Sequence, residues 1–387
     1  RSLLRRHGSM VVADYRFPKR TTRELGRSFW DGRLPPNIPS EATRSDWVKT
    51  MPLAQLFHEK VEAHGPKNIP YDKAFDFLVF RDPDGQEKQY LHVNGQNGGS
   101  YSTDSGNPIT EFYSHGRGWI GSGSWIMQTT RHLTSVAIVR NGESQPLPAF
   151  VKLERAESTP RWGITRTGYV DYNGTDWYRN IINVPNKWFL VIDEIAVKEP
   201  GDYLLESRWS LAACSAFDGD DILAANYGPN NKGEVHFRLT GTGWQNQYMS
   251  PRHYRDFLTS PLHPFPRTAA DLSPSTYYRT EVARRWAGPL KEGDTHVFCN
   301  LFYVDESSKL LYDLQELATG GYLVKGEKES WVARVENDSK WVLEPLGDRK
   351  LQIRTKEAKP ATPAPDLQPK WQETESARIL SSAVMSG

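Results

Sequence analysis

Cysteine is nearly missing from this sequence, and so are long apolar runs, net charge and the short motifs of nucleotide or hydrolase chemistry. Cys214 and Cys299 are the only thiols in 387 residues. They are too few for a disulfide framework, and a single bridge between them is left open. No apolar run approaches the ~18 residues that cross a bilayer, so no membrane partner is expected. The formal net charge is +1, which removes the general electrostatic reason to expect nucleic acid or an anionic lipid surface. No GxGxxG follows a first strand, and there is no P-loop, GxSxG elbow or CxxC pair. These absences argue against nucleotide enzymes, α/β-hydrolases and zinc ribbons. No apolar signal core follows the basic residues Arg1, Arg5 and Arg6, so no signal peptide is expected within these residues.

Aromatic residues, in contrast, are plentiful: 13 Trp, 17 Tyr and 15 Phe. They favour strands, and their flat apolar faces also stack on sugar rings; sheet core should absorb most of them. Residues 1–50 carry eleven Lys and Arg against five Asp and Glu, an excess of six positive charges. That excess reads as a solvated, irregular basic arm, with a face for an acidic polymer as the alternative. Within the arm, Thr50-Met51-Pro52 opens a short helix that carries Ala54, Phe57 and Val61 at helical spacing and ends near His64-Gly65.

From Phe75 onward the apolar period becomes two. Strand patterns recur at 75–80, 89–93, 109–113, 134–140, 148–153, 165–171, 178–184, 187–197, 203–211, 234–240, 277–283, 295–304, 321–325, 330–335 and 340–344. Turn signals such as Asn141-Gly142, Asn173-Gly174 and Pro200-Gly201 separate them. So many strands without amphipathic helices between them predict a mainly β protein, a large antiparallel β-sandwich with unusually large sheets. The expected domains are a basic arm over 1–70, the sandwich over 71–355 and a Pro/Ala-rich tail over 356–387, whose segment Ser376 to Met385 could form a short helix.

Between two of these strands lies Asn97-Gly98-Gly99-Ser100-Tyr101-Ser102-Thr103-Asp104-Ser105-Gly106, with the small polar composition of an active-site loop. Three ordered segments set it in context. They are Phe77 to Arg81 with Tyr90-Leu91-His92-Val93-Asn94-Gly95; Thr129-Thr130-Arg131-His132-Leu133-Thr134-Ser135-Val136; and Tyr169-Val170-Asp171-Tyr172 through Trp177-Tyr178-Arg179-Asn180 to Trp188 to Ile195. In this order they resemble the β-sheet domain of the heparinase II/III-like polysaccharide lyases, over roughly residues 70–305. The resemblance implies β-elimination on uronic-acid polysaccharides, an extracytoplasmic location and a helical toroid as partner. About 70 residues precede the sandwich and cannot build that toroid, so it is expected to be missing from this chain. Where the family has His-x-His-x-Asp, this chain has Ser100-Tyr101-Ser102-Thr103-Asp104, and Gly121-Ser122-Gly123 lacks the carboxylate relatives carry there. His132 alone stands at a family metal-ligand position, and zinc needs at least three protein ligands. No metal and no other cofactor is therefore expected.

The resemblance makes Tyr101 and His132 the catalytic candidates, with Arg131 positioned to neutralise a substrate carboxylate. For Tyr101 the competing reading is an ordinary loop aromatic, and for His132 a structural strand residue. Asp104 is assigned to substrate binding, with an aspartate turn as the alternative. Trp119 and Trp125 are candidates for sugar stacking or, equally, for sheet packing. Tyr277-Tyr278-Arg279 with Arg284-Arg285-Trp286 reads as a cationic glycan surface or as a solvated strand face. Asp193, inside an apolar strand, is expected to pair with Arg179 or to cap a turn. Asn173-Gly174-Thr175 fits a glycosylation acceptor by pattern alone. A noncatalytic module that binds acidic glycans, or a purely structural sandwich, is the alternative to an enzyme.

Overall fold

The computed structural model describes residues 4–7, 10–14, 75–81, 89–95, 107–121, 133–144, 151–159, 161–225, 235–253, 278–306, 309–336, 340–347 and 351–354. Its strands are, in chain order, β1 (Leu4–His7), β2 (Met10–Asp14), β3 (Phe75–Arg81), β4 (Gln89–Asn94), β5 (Ile109–Ser114), β6 (Arg117–Gly121), β7 (Val136–Arg140) and β8 (Lys152–Ser158). There follow β9 (Gly163–Tyr172), β10 (Thr175–Val184), β11 (Trp188–Val197), β12 (Gly201–Leu211), β13 (Cys214–Asp218), β14 (Asp221–Ala225), β15 (His236–Thr242) and β16 (Asn246–His253). The last are β17 (Tyr278–Leu290), β18 (Thr295–Asp305), β19 (Tyr312–Glu316), β20 (Tyr322–Gly326), β21 (Ser330–Glu336) and β22 (Lys340–Pro345).

They form three antiparallel sheets. A ten-stranded front sheet runs β1-β2-β3-β4-β5-β6-β12-β17-β16, with β7 pairing β12. An eight-stranded middle sheet runs β13-β14-β15-β18-β11-β10-β9-β8, and a four-stranded small sheet runs β19 to β22. The protein is mainly β, an antiparallel sandwich, as the period-two pattern predicts, and the middle sheet explains its longest apolar run. In β11, Phe189, Val191 and Ile195 pack toward the front sheet, while Trp188, Leu190 and Ile192 pack toward the small sheet. A strand covered on both faces loses the polar alternation of a half-exposed one.

The turns follow their chemistry. Asn141 and Gly142 both have positive φ, as do Asn173 and Gly174 between β9 and β10. Asn-Gly supplies that left-handed pair at little steric cost, and it fixes the hairpin register. Between β12 and β13 the chain leaves the front sheet for the middle one. There the Ala212 amide donates to the Trp119 carbonyl at 2.7 Å, and the Thr280 hydroxyl donates to the Ala213 carbonyl at 2.9 Å.

Several strand expectations differ from the structure. Residues 4–7 and 10–14, expected as irregular arm, form β1 and β2, which pair with each other, and β2 pairs β3 so that the front sheet is extended. The strand expected over 148–153 is β8, Lys152–Ser158. Its charged sequence KLERAES suits the sheet edge it occupies, where charge discourages pairing with another chain. Strand β16 carries Pro251 and little apolar pattern; it too is an edge strand, the place in a sheet that tolerates proline. The helix expected near 50–64 and the tail over 356–387 lie outside the described residues. Among the described residues no helix is long and apolar enough to cross a membrane. Cys299 is a buried free thiol.

Candidate functional site

Tyr101, Asp104, Trp125, Arg131 and His132 lie outside the described residues. The frame from which their two segments leave, and to which they return, is described in full. Segment 96–106 departs after Gly95 and rejoins at Asn107. The Asn107 amide donates to the Asn94 carbonyl at 2.9 Å, and the Asn94 amide donates to the Pro108 carbonyl at 3.2 Å. Gly95 has a steric reason: a Cβ there would stand 2.2 Å from the Phe75 carbonyl oxygen. Segment 122–132 departs after Gly121 and rejoins at Leu133. Ser210 of β12 touches both of its ends, donating its hydroxyl to the Gly121 carbonyl at 3.1 Å and its amide to Thr134 Oγ1 at 3.0 Å.

The two roots adjoin. The Ile109 amide donates to the Thr134 carbonyl at 2.9 Å, so one hydrogen bond joins the return of the first segment to the return of the second. Beneath them lies an ion pair with almost no exposure, Arg179 of β10 opposite Asp193 of β11. Arg179 donates Nε to Asp193 Oδ1 at 2.8 Å and Nη2 to Oδ2 at 3.1 Å. Its Nη1 donates to the carbonyls of Asn107 at 2.7 Å and Thr134 at 3.0 Å. The Trp177 indole N–H donates to Asp193 Oδ1 at 2.9 Å. Two buried polar atoms at these roots, Asn107 Nδ2 and Ser135 Oγ, have no partner among the described residues.

The outer face of the front sheet carries titratable groups next to this frame. Leu91 and Val93 point into the core, so His92 between them faces away from it, two residues from Asn94. Its Nδ1 contacts Thr110 Oγ1, and burial pushes its imidazole down to about 4. His92 stands opposite Glu111. Tyr90 donates its hydroxyl to Glu111 Oε2 at 3.2 Å and stacks on Tyr113. Burial raises the Glu111 carboxyl against the opposing Tyr90 hydrogen bond, and burial and the Glu111 charge together raise the Tyr90 phenol. At neutral pH the His92 imidazole is therefore neutral, and burial makes it a weak base. These residues were not singled out from sequence, although the alternation Tyr90-Leu91-His92-Val93 already sets His92 on the face opposite the core. Among the described residues no three His, Cys, Asp or Glu side chains gather as metal ligands would.

Trp119 is a packing residue. It has no exposed surface, its ring stacks on Phe237, and its indole N–H donates to the Ser114 carbonyl at 3.0 Å. With no exposed surface, that ring is not open to a sugar. Trp119→Phe is expected to lower stability by about 2 kcal/mol through lost volume and an unpaired carbonyl, read from the urea midpoint, while glycan retention on an affinity gel stays unchanged.

The cationic stretch divides. Arg284 is no surface residue: it is fully buried, with Nη1 donating to Asn300 Oδ1 and Nε to Gln247 Oε1, both at 2.6 Å, and burial lowers it to about 10. Arg285 is partly exposed, pairs with Glu206 and lies over the Tyr248 ring. Asn173, the pattern-based glycosylation acceptor, is buried and donates Nδ2 to the Ile138 carbonyl at 2.7 Å, so the folded chain does not present it.

The fold thus belongs to the class of large antiparallel β-sandwiches. No family model matches the sequence, and no curated protein matches it. Solved structures do. A mutant of the heparan sulfate lyase HepC from Pedobacter heparinus is similar with a TM-score of 0.51 at 14% identity, over 85% of this chain and 52% of its own. The HepC structure without the mutation gives 0.49 at 14% identity, over 79% of this chain and 47% of its own. A heparinase III gives 0.45 at 13% identity, over 71% and 42%. The chain spans about half the length of these proteins, and at such identities the likeness is one of fold, for which the HepC mutant is the argument.

Proposed function

We propose that this chain is a carbohydrate-active sandwich related to the heparinase II/III-like lyases, and that segments 96–106 and 122–132 together form its site for an acidic polysaccharide. The observation that carries this reading is that the two segments bearing Tyr101 and His132 are rooted one hydrogen bond apart, between Ile109 and Thr134. In the reaction, Tyr101 acts as base or acid, with His132 assisting, and Arg131 neutralises the uronate carboxylate. The proton next to the carboxylate is removed. Its electron pair forms the new carbon–carbon double bond as the glycosidic carbon–oxygen bond breaks, and the departing oxygen takes a proton. No oxidant and no water is consumed. Asp104 and Trp125 contribute to substrate binding from the same segments. The sandwich over 71–355 works against a helical toroid that supplies the other wall of the cleft, outside the cytoplasm where such polymers lie.

The test is ultraviolet absorbance of unsaturated uronate, with alginate, heparin, heparan sulfate and pectin as substrates. A rise that Tyr101→Phe lowers by about 100-fold or more supports general acid–base work by that residue. No rise from any polymer, with the toroid also supplied, sinks the elimination. Polymer retained on the chain but left uncut would support the noncatalytic reading, which the single remaining family-type ligand position favours.

A further inference from the structure

We propose that Arg285, with Asn246 and Tyr248 beside it, is an anion-binding subsite on the outer face of the front sheet, taking a carboxylate or sulfate group of an acidic polysaccharide. The proposal rests on reading the chain as one that binds such polymers, but its test follows a single side chain. The argument lies in how Arg285 is held. Leu205 and Val282 point into the core, so Glu206 on β12 and Arg285 opposite it on β17 face outward. The Arg285 Nε donates to Glu206 Oε1, and its guanidinium carbon stands 4.5 Å from the centre of the Tyr248 ring. A carboxylate at one edge and an aromatic face against the plane fix the orientation of the group. Arg208 donates to the other Glu206 oxygen. Two positive charges thus meet one negative charge, and the triad keeps a net positive one. Neither Nη atom of Arg285 has a partner among the described residues, and the side chain is 31% exposed. Those two nitrogens present the parallel N–H pair that grips a carboxylate or sulfate at two points. Asn246 stands directly opposite Arg285 on β16, and Met249 packs inward, so Asn246 and Tyr248 share the outward face. Tyr248 is 40% exposed. Neither its hydroxyl nor the Asn246 side-chain amide has a partner among the described residues, which suits them to sugar hydroxyls. Along β17 the outward neighbours of Arg285 are Ala283 and Ala287. Such short side chains keep the surface low, so that a polymer lies across it rather than entering a pocket.

Modification of the unaltered chain by phenylglyoxal, which reacts at the Nη atoms of a guanidinium, tests this when Arg285 is followed by mass spectrometry. Arg284, its fully buried neighbour, is the unreactive reference. Saturating heparin and polygalacturonate are expected to slow modification of Arg285 by about tenfold or more, and neutral dextran to leave it unchanged. Protection by heparin alone identifies sulfate as the bound group, and protection by polygalacturonate alone identifies carboxylate; either supports the subsite. No protection by either polymer overturns it. Arg285→Gln is expected to raise the Kd for the protecting polymer by about tenfold. Arg285→Lys, which keeps the charge but not the fork, should recover little of that loss. Lys291→Gln removes an exposed charge in the turn after β17 and should leave the Kd unchanged. An Arg285→Gln chain that binds as tightly as the natural one overturns the proposal. Should that variant fail to fold, the protection experiment on the unaltered chain still decides. Release of unsaturated uronate without protection at Arg285 would keep the lyase reading and lose the subsite, whereas protection without release would keep the subsite and lose the elimination.

Discussion

Asp193→Ala is expected to destabilise the protein by about 3–5 kcal/mol, the range for removing one partner of a buried ion pair. The cause is what stays behind. Arg179 is 1% exposed and would keep its charge with only the Asn107 and Thr134 carbonyls as partners. The Trp177 indole N–H would lose its acceptor as well. Replacing both members, with Arg179→Met and Asp193→Leu, removes the stranded charge, and an apolar pair of similar volume often does as well as the ions it replaces. Here it should recover only part of the loss, because the two carbonyls and the indole N–H are then left without partners. The expected order of urea midpoints is therefore the natural chain first, the double variant second and Asp193→Ala last. A single variant that loses less than about 1 kcal/mol, the scale of an exposed pair, would mean that water reaches this pair.

That ion pair also marks how far the sequence can be read. An acid inside the apolar run of β11 and an arginine inside β10 invite pairing, and the turn after Val184, with Asn186 at positive φ, sets the β10–β11 register that brings them opposite each other. The wider role of Arg179 was hidden, since its other acceptors are backbone carbonyls 72 and 45 residues away. A carbonyl has no residue identity, so no motif announces it. A different limit explains the missed strand β16. Alternation exposes β4 and β5, whose two faces differ in burial, but it is silent for β16 with its proline and misplaces the bounds of the charged edge strand β8. Trp119 was open between sugar and core because a tryptophan beside Gly121-Ser122-Gly123 satisfies both patterns. Only the β5-β6 bulge, with its register shift between Phe112 and Tyr113, accounts for an indole inside the sandwich next to residues that could have been exposed.

Acid is expected to weaken the fold well before the carboxylates titrate, through His92 and His296. Burial lowers both imidazoles from an ordinary 6.5 to about 4. His296 also bonds the Gly243 carbonyl at 2.8 Å and packs between Trp286 and Phe298, which leaves little room to hydrate a cation. In the unfolded chain each takes a proton near pH 6.5, whereas in the folded protein each resists until about pH 4. Between those values the unfolded state binds more protons, so stability is fully present above about pH 6.5 and is lost as pH falls toward 4. Lowering the pH from 7.5 to 5 should cost about 2 kcal/mol per histidine, about 4 kcal/mol for the pair. His115, also lowered by burial, acts in the same direction. Glu111 opposes it, because its raised carboxyl takes a proton more readily in the folded protein than in the unfolded one. Urea unfolding at the two pH values measures the sum. The variant with His92→Gln and His296→Gln should lose most of the slope; an unchanged slope would mean that both imidazoles are protonated in the folded protein at pH 5.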